Sequence, residues 1–138
     1  MTRSGSLVPV FSFALLALLF FRPAHADVVV IVSVRNASNL TAGDIAQIYL
    51  GRSTNLKPID TAEPSPLRTE FYAKVTGKTD AQVRSIWAKL DFTGRGQSPR
   101  ELASSALVVK AVGADPKAIG YVDRSSVDAS VKIVLELK

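Results

Sequence analysis

Histidine and cysteine are nearly absent from this 138-residue chain: there is no cysteine, and the one histidine is His25. A chain without thiols has no cysteine nucleophile and no disulfide, and with no usable imidazole it also lacks the customary general base. Nitrogen and sulfur metal ligands are missing for the same reason, so neither a metal centre nor a cofactor is expected. Aromatic residues make up only 7% of the sequence, with a single tryptophan, Trp87. No internal repeat and no low-complexity run interrupts the chain. Acidic residues are outnumbered by basic ones, 12 against 17, but the basic residues are scattered. A nucleic-acid footprint needs clustering, so no nucleic-acid partner is expected.

The one long apolar run is at the N-terminus. A basic start (Met1 to Ser4), an apolar stretch from Leu7 to Phe21 and the small-x-small triplet Ala24-His25-Ala26 have the layout of a secretory signal peptide. Cleavage is expected after Ala26, with export to the periplasm. No cysteine follows the run, so lipid attachment is not expected. Removing 26 of 138 residues leaves residues 27–138, 112 in all, the size of one domain with one core. Arg3, Arg22 and His25 leave with the leader, so 15 basic residues face 12 acidic ones. That modest excess suits a small anion or an acidic partner.

Residues 28–34, Val-Val-Val-Ile-Val-Ser-Val, predict a strand covered on both faces. Thr41-Ala-Gly-Asp44 is a capping signature for a helix with Ile45, Ile48 and Tyr49 buried and Gly51 as a left-handed stop. A short strand is expected over 57–61. Ser65 and Pro66 then open a helix, Ser as N-cap and Pro at the first helical position. Leu67, Phe71 and Val75 would bury one face, and Gly77 ends it. Thr79-Asp-Ala-Gln82 caps the next helix, in which Val83, Ile86, Trp87 and Leu90 share a face. Ser98-Pro-Arg-Glu101 reads as a further helix opening, the helix running to about Gly113. Strands are expected over 118–122 and, alternating and half-exposed, over 131–137. Strands alternating with helices predict an α/β fold.

The candidate site is the start of the Pro66 helix. There the Ser65 hydroxyl, the amides of Leu67 and Arg68, and the Arg68 guanidinium could converge on an anion. Arg95, in a glycine-flanked loop, is a secondary candidate as a clamp. An ordinary capped helix with Arg68 paired to Glu63 or Asp60 is the alternative reading. Tyr72 and Tyr121 are expected to pack with solvated hydroxyls, and Asp60 and Glu63 make a weak acid/base pair, so no catalytic residue is assigned.

Several segments together, Ile45-Ala-Gln-Ile-Tyr-Leu-Gly51, Ser65…Arg68…Phe71, Gly77, Trp87…Phe92-Thr-Gly94 and Pro116-Lys-Ala-Ile-Gly-Tyr-Val122, resemble the phosphate-type periplasmic substrate-binding proteins of ABC transporters. The resemblance runs from about Val30 to the C-terminus. It implies a type II periplasmic binding fold, here one lobe: three αβα layers, a mixed sheet of four to five strands, helices on both faces. Such proteins hold ligand between two lobes, and in the family a Ser-Gly-Thr-Arg helix start contacts phosphate. Ser65 and Arg68 match that start, while Pro66 stands for its glycine and Leu67 for its threonine. The resemblance implies a non-enzymatic phosphate or oxyanion binder working with an ABC permease or a sensor protein. The two departures motivate the alternative, a protein–protein interaction or assembly module that has lost solute binding and forms a homodimer.

Overall fold

A computed structural model describes residues 4–6 and 27–138. The expected leader lies outside the described residues apart from Ser4 to Ser6. No helix among the described residues is long and apolar enough to cross a membrane. The elements run β1 (Val28–Ser33), α1 (Ala42–Tyr49), β2 (Lys57–Thr61), α2 (Pro66–Thr76), α3 (Asp80–Phe92), β3 (Arg100–Leu102), α4 (Ser105–Ala114), β4 (Ala118–Asp123), a 3-10 turn (Arg124–Ser126) and β5 (Val131–Glu136). The strands form one mixed sheet ordered β3-β2-β4-β1-β5. β2 runs parallel to β3 and β4, whereas β1 is antiparallel to β4 and β5.

The valine-rich β1 shows why the sheet is a middle layer. Every residue from Val28 to Ser33 is buried. Because side chains alternate across a strand, Val28, Val30 and Val32 join the core under α1, α2 and α3, while Val29 and Ile31 join the core under α4. β4 divides the same way: Ile119 and Tyr121 face the three-helix side, Ala118 and Val122 the α4 side. The architecture is the αβα sandwich that the resemblance implies, with five strands, the upper end of the four to five expected.

Local capping chemistry holds where expected. Thr41 with Asp44, and Thr79 with Gln82, form reciprocal capping boxes. Ser65 caps α2 with Pro66 at its first turn, and Gly77 ends it at φ 70°. On Gly120, α4 packs so closely that an added Cβ would lie 2.6 Å from Val108 Cγ1 and 3.0 Å from Val112 Cγ2. A side chain there would push α4 off the sheet, which gives the Ile-Gly-Tyr-Val segment its physical reason.

Three local expectations are corrected. The helix opening at Ser98 does not form: Arg100–Leu102 is a strand, paired in parallel with Ile59–Thr61, and α4 starts at Ser105 behind the N-cap Ser104. Ser98 instead binds the Asp91 carboxylate through its amide and hydroxyl. Ladder hydrogen bonds at the sheet edge have outweighed a good local capping pattern. In α2 the buried residues are Arg68, Phe71 and Tyr72, with Leu67 and Val75 only partly covered. The tyrosines are fully buried, and their hydroxyls are not in water.

Candidate functional site

In α/β sheets, ligands collect outside the carboxyl ends of the parallel strands. β2 delivers Asp60 and Thr61 to that edge, and β3 delivers Glu101, the register partner of Asp60. Partners across a parallel ladder share a face, so both carboxylates point to the side on which α2 begins. Between them lies Arg68, only 3% exposed.

The guanidinium is held on several sides. Its Nη1 donates to the Thr61 carbonyl at 3.0 Å and to Glu101 Oε1 at 2.9 Å, and sits 3.6 Å from Asp60 Oδ2. Nη2 is 3.4 Å from Glu63 Oε1, and Glu63 in turn is bound by Arg84 of α3. The face of Tyr72 lies 5.6 Å from the guanidinium carbon. Burial works against the Arg68 charge, but Asp60 and the Glu101 hydrogen bond outweigh it and hold its pKa above the usual value. The ion-pair reading of Arg68 is therefore found with both partners that the sequence suggested, Asp60 and Glu63. Glu101 is a third, hidden from sequence reasoning because its segment reads as a helix start.

Asp60 is 2% exposed and fully served. Tyr72 donates to Oδ2 at 2.6 Å, Tyr121 donates to Oδ1, and the Thr61 amide donates to Oδ1 at 2.9 Å. Burial nevertheless raises its pKa, against the lowering effects of the tyrosine hydrogen bonds, Arg68 and the Thr61 amide. Both tyrosines titrate well above the ordinary range, first through burial and then through the Asp60 charge. Their rings extend the network into an aromatic cluster: Phe71 stacks on Tyr121 at 4.0 Å, and Tyr49 meets Phe71 edge-on at 4.7 Å.

At the helix start, the amide of Arg68 donates to Ser65 Oγ at 3.2 Å and that of Thr69 to the Ser65 carbonyl at 3.1 Å. Pro66 has no N–H, and the first-turn amide of Leu67 has no protein acceptor among the described residues, Ser65 Oγ being taken by Arg68. Two side-chain atoms nearby, Arg68 Nε and Thr61 Oγ1, are buried without a partner. Ser65, Leu67 and Arg68 thus meet at one end of α2, whereas Arg95 lines a different groove. Outside this helix end is an open cleft of about 770 Å³ lined by Glu63, Ser65, Pro66, Thr69, Glu70 and Asp80. Its three carboxylates make the approach acidic, and with Asp60 and Glu101 they outnumber the two arginines nearby. Among the described residues no cluster of His, Cys, Asp and Glu is arranged to hold a metal ion.

No protein-family model matches the sequence, and no curated protein does. Solved structures do match the fold. An ABC-type phosphate transport receptor from Vibrio cholerae aligns over 78% of this chain and 45% of its own, with TM-score 0.60 and 20% identity. A phosphate ABC transporter substrate-binding protein from Clostridium perfringens, solved with bound phosphate, aligns over 78% and 44%, with TM-score 0.60 and 23% identity. PstS from Borrelia burgdorferi gives 78% and 46%, TM-score 0.58 and 16% identity. This chain therefore has the fold of somewhat less than half of a phosphate receptor, the single-lobe short form that its sequence resembles.

Proposed function

We propose that the protein is an exported, non-enzymatic binding domain that takes a small oxyanion, phosphate foremost, at the start of α2. The observation that carries this reading is the set of unspent donors around one buried cation. The Leu67 amide and Arg68 Nε both lack partners at the start of α2, beside the carboxyl edge of β2. A buried donor left unmade costs about 1–3 kcal/mol, and a ligand oxygen that reached it would recover that cost. The likeness in fold to receptors named for phosphate supports the choice of anion.

The carboxylates set the terms of binding. Glu101 and Glu63 have side-chain exposures of 52% and 29%, so they can turn away, whereas Asp60 at 3% cannot. An incoming phosphate has to replace Glu101 at Nη1 and Glu63 at Nη2, and binding by the lone lobe is accordingly weak. Phosphate held here would be half in solvent unless a second surface, from an ABC permease or a sensor protein, closed over it. Calorimetric titration of residues 27–138 with phosphate tests the reading. Heat is expected at millimolar phosphate, more strongly in Glu101→Gln, and none in Arg68→Ala. No heat in either the native domain or Glu101→Gln overturns it.

A second reading, an assembly module that no longer binds solute, is favoured by the outer edge of β5. That edge is unpaired among the described residues. An antiparallel pairing with a second copy centred on Val134 sets Lys132 opposite Glu136 twice, a self-complementary register. Light scattering distinguishes the readings: a phosphate-independent dimer abolished by Val134→Pro supports assembly, and a monomer at high concentration removes it.

A further inference from the structure

A second groove lies at the opposite end of β2, and its origin is the shortness of β3. β3 begins opposite Ile59, so Lys57 and Pro58 have a strand on only one side, β4. The loop from Arg95 to Pro99 passes the gap without filling it, leaving a groove of about 970 Å³. Its floor is apolar, contributed by Ile48, Leu56, Ile59 and the indole of Trp87. The indole is held from behind by its Nε1–H, which donates to the Tyr49 carbonyl at 3.0 Å. Glycine at 96 lets the loop approach closely: a Cβ there would sit 3.3 Å from Leu90 Cβ and 3.4 Å from the Trp87 ring.

The rim is basic. Lys57, Arg95 and Arg100 line it, with Asp115 as the one carboxylate among the lining residues. Lys57 lies 3.8 Å from Asp115, which accounts for that pair. Arg95 and Arg100 make no ion pair with another described residue. Parity explains the split within β3: Glu101 turns to Arg68, and its neighbour Arg100 turns to the α4 side and the groove. Apolar floors with a few placed charges are the usual make-up of small-molecule sites, and the volume lies within their range.

We propose that this groove binds an anionic amphiphile, a small molecule with an apolar body of one or two rings, or a short acyl chain, and a single anionic head. The body lies against Trp87, Leu56 and Ile48, and the head meets Arg95 and Arg100. This site is separate from the α2 end: it lies at the sheet edge beside the amino end of β2 and shares no lining residue with the acidic cleft.

Trp87 is the only tryptophan in the sequence, so its emission reports on the groove directly. The probe is 8-anilinonaphthalene-1-sulfonate, titrated into residues 27–138 while tryptophan emission is followed. Decanoate serves as competitor, and the neutral 1-aminonaphthalene as a counter-probe. Saturable quenching of Trp87 is expected, displaced by decanoate and not by 10 mM phosphate. The dissociation constant is expected to rise three- to tenfold in Arg95→Gln/Arg100→Gln and with added salt, since exposed charges are screened. Ala114→Leu, an exposed position lining the groove, should block binding while near-ultraviolet circular dichroism stays native. Equal affinity for the neutral probe, or an unchanged dissociation constant in both natively folded variants, overturns the proposal.

Discussion

Replacing Arg68 by alanine isolates the network on which the α2 end rests. The change removes the donor to the Thr61 carbonyl and the charge beside Asp60, and it frees Glu63 and Glu101. Breaking a buried ion pair from one side costs about 3–5 kcal/mol when the remaining charge is left bare. Asp60 is not left bare, because Tyr72, Tyr121 and the Thr61 amide still donate to it. The partly exposed ties to Glu63 and Glu101 add about 0–1 kcal/mol each. Orphaning the Thr61 carbonyl adds about 1 kcal/mol or more. A net loss of about 3 kcal/mol follows, which for a domain of this size lowers Tm by about 10 °C. The loss should also depend on pH. Arg68 lowers the Asp60 pKa, so its removal raises that pKa further and lets Asp60 take up a proton more readily. The penalty is therefore smaller at pH 5 than at pH 8. Urea denaturation of the native domain, Arg68→Ala, Asp60→Asn and the double variant measures the coupling. A loss under about 1 kcal/mol, or additive single changes, would show that the guanidinium is not structurally engaged.

Other outcomes follow from the same contacts. Gly120→Ala should cost about 1–3 kcal/mol by overpacking against Val108 and Val112, visible as a lower urea midpoint with an unchanged m-value. A midpoint equal to the native one would mean that α4 shifts freely. All three tyrosines, Tyr49, Tyr72 and Tyr121, are buried with raised pKa values. Absorbance at 295 nm should therefore show no tyrosinate near pH 10, where a free tyrosine is half-ionised, until the fold itself is lost. One tyrosine titrating normally in folded protein contradicts the burial. Asp60 has a folded pKa above its ordinary 3.8. Its contribution to stability is thus greatest below that value and falls as pH rises through the elevated one. The stability difference between the native domain and Asp60→Asn should shrink over that window, and a difference that grows with pH reverses the sign of the argument.

Much of the fold is legible in the sequence because its signals are local and agree with one another. The unbroken β-branched run Val28 to Val32 is short and reads as a strand covered on both faces, and the Thr41 and Thr79 boxes mark helix starts through contacts three residues apart. β3 is illegible for the opposite reason. Ser98-Pro99-Arg100-Glu101 has good helix-start chemistry, and only pairing with Ile59–Thr61, some forty residues away, makes it a strand. The candidate site divides likewise. Ser65, Leu67 and Arg68 are visible as a helix start, and the Asp60 and Glu63 partners of Arg68 are near enough in sequence to be guessed. Glu101 is reached only through the sheet, and the tyrosine hydroxyls on Asp60 only through packing of α2 and β4 over β2. Arg95 carries a sequence signal of loop and charge, but the topology places it at the groove lined by Trp87 and Arg100.

The most direct test follows two protons in a ¹⁵N-labelled domain titrated with phosphate: the backbone amide of Leu67 and the Nε–H of Arg68. The account predicts that both resonances shift saturably together, that Glu101→Gln steepens the response, and that residues lining the Trp87 groove stay still. Phosphate that moves neither resonance, in the native domain or in Glu101→Gln, contradicts it.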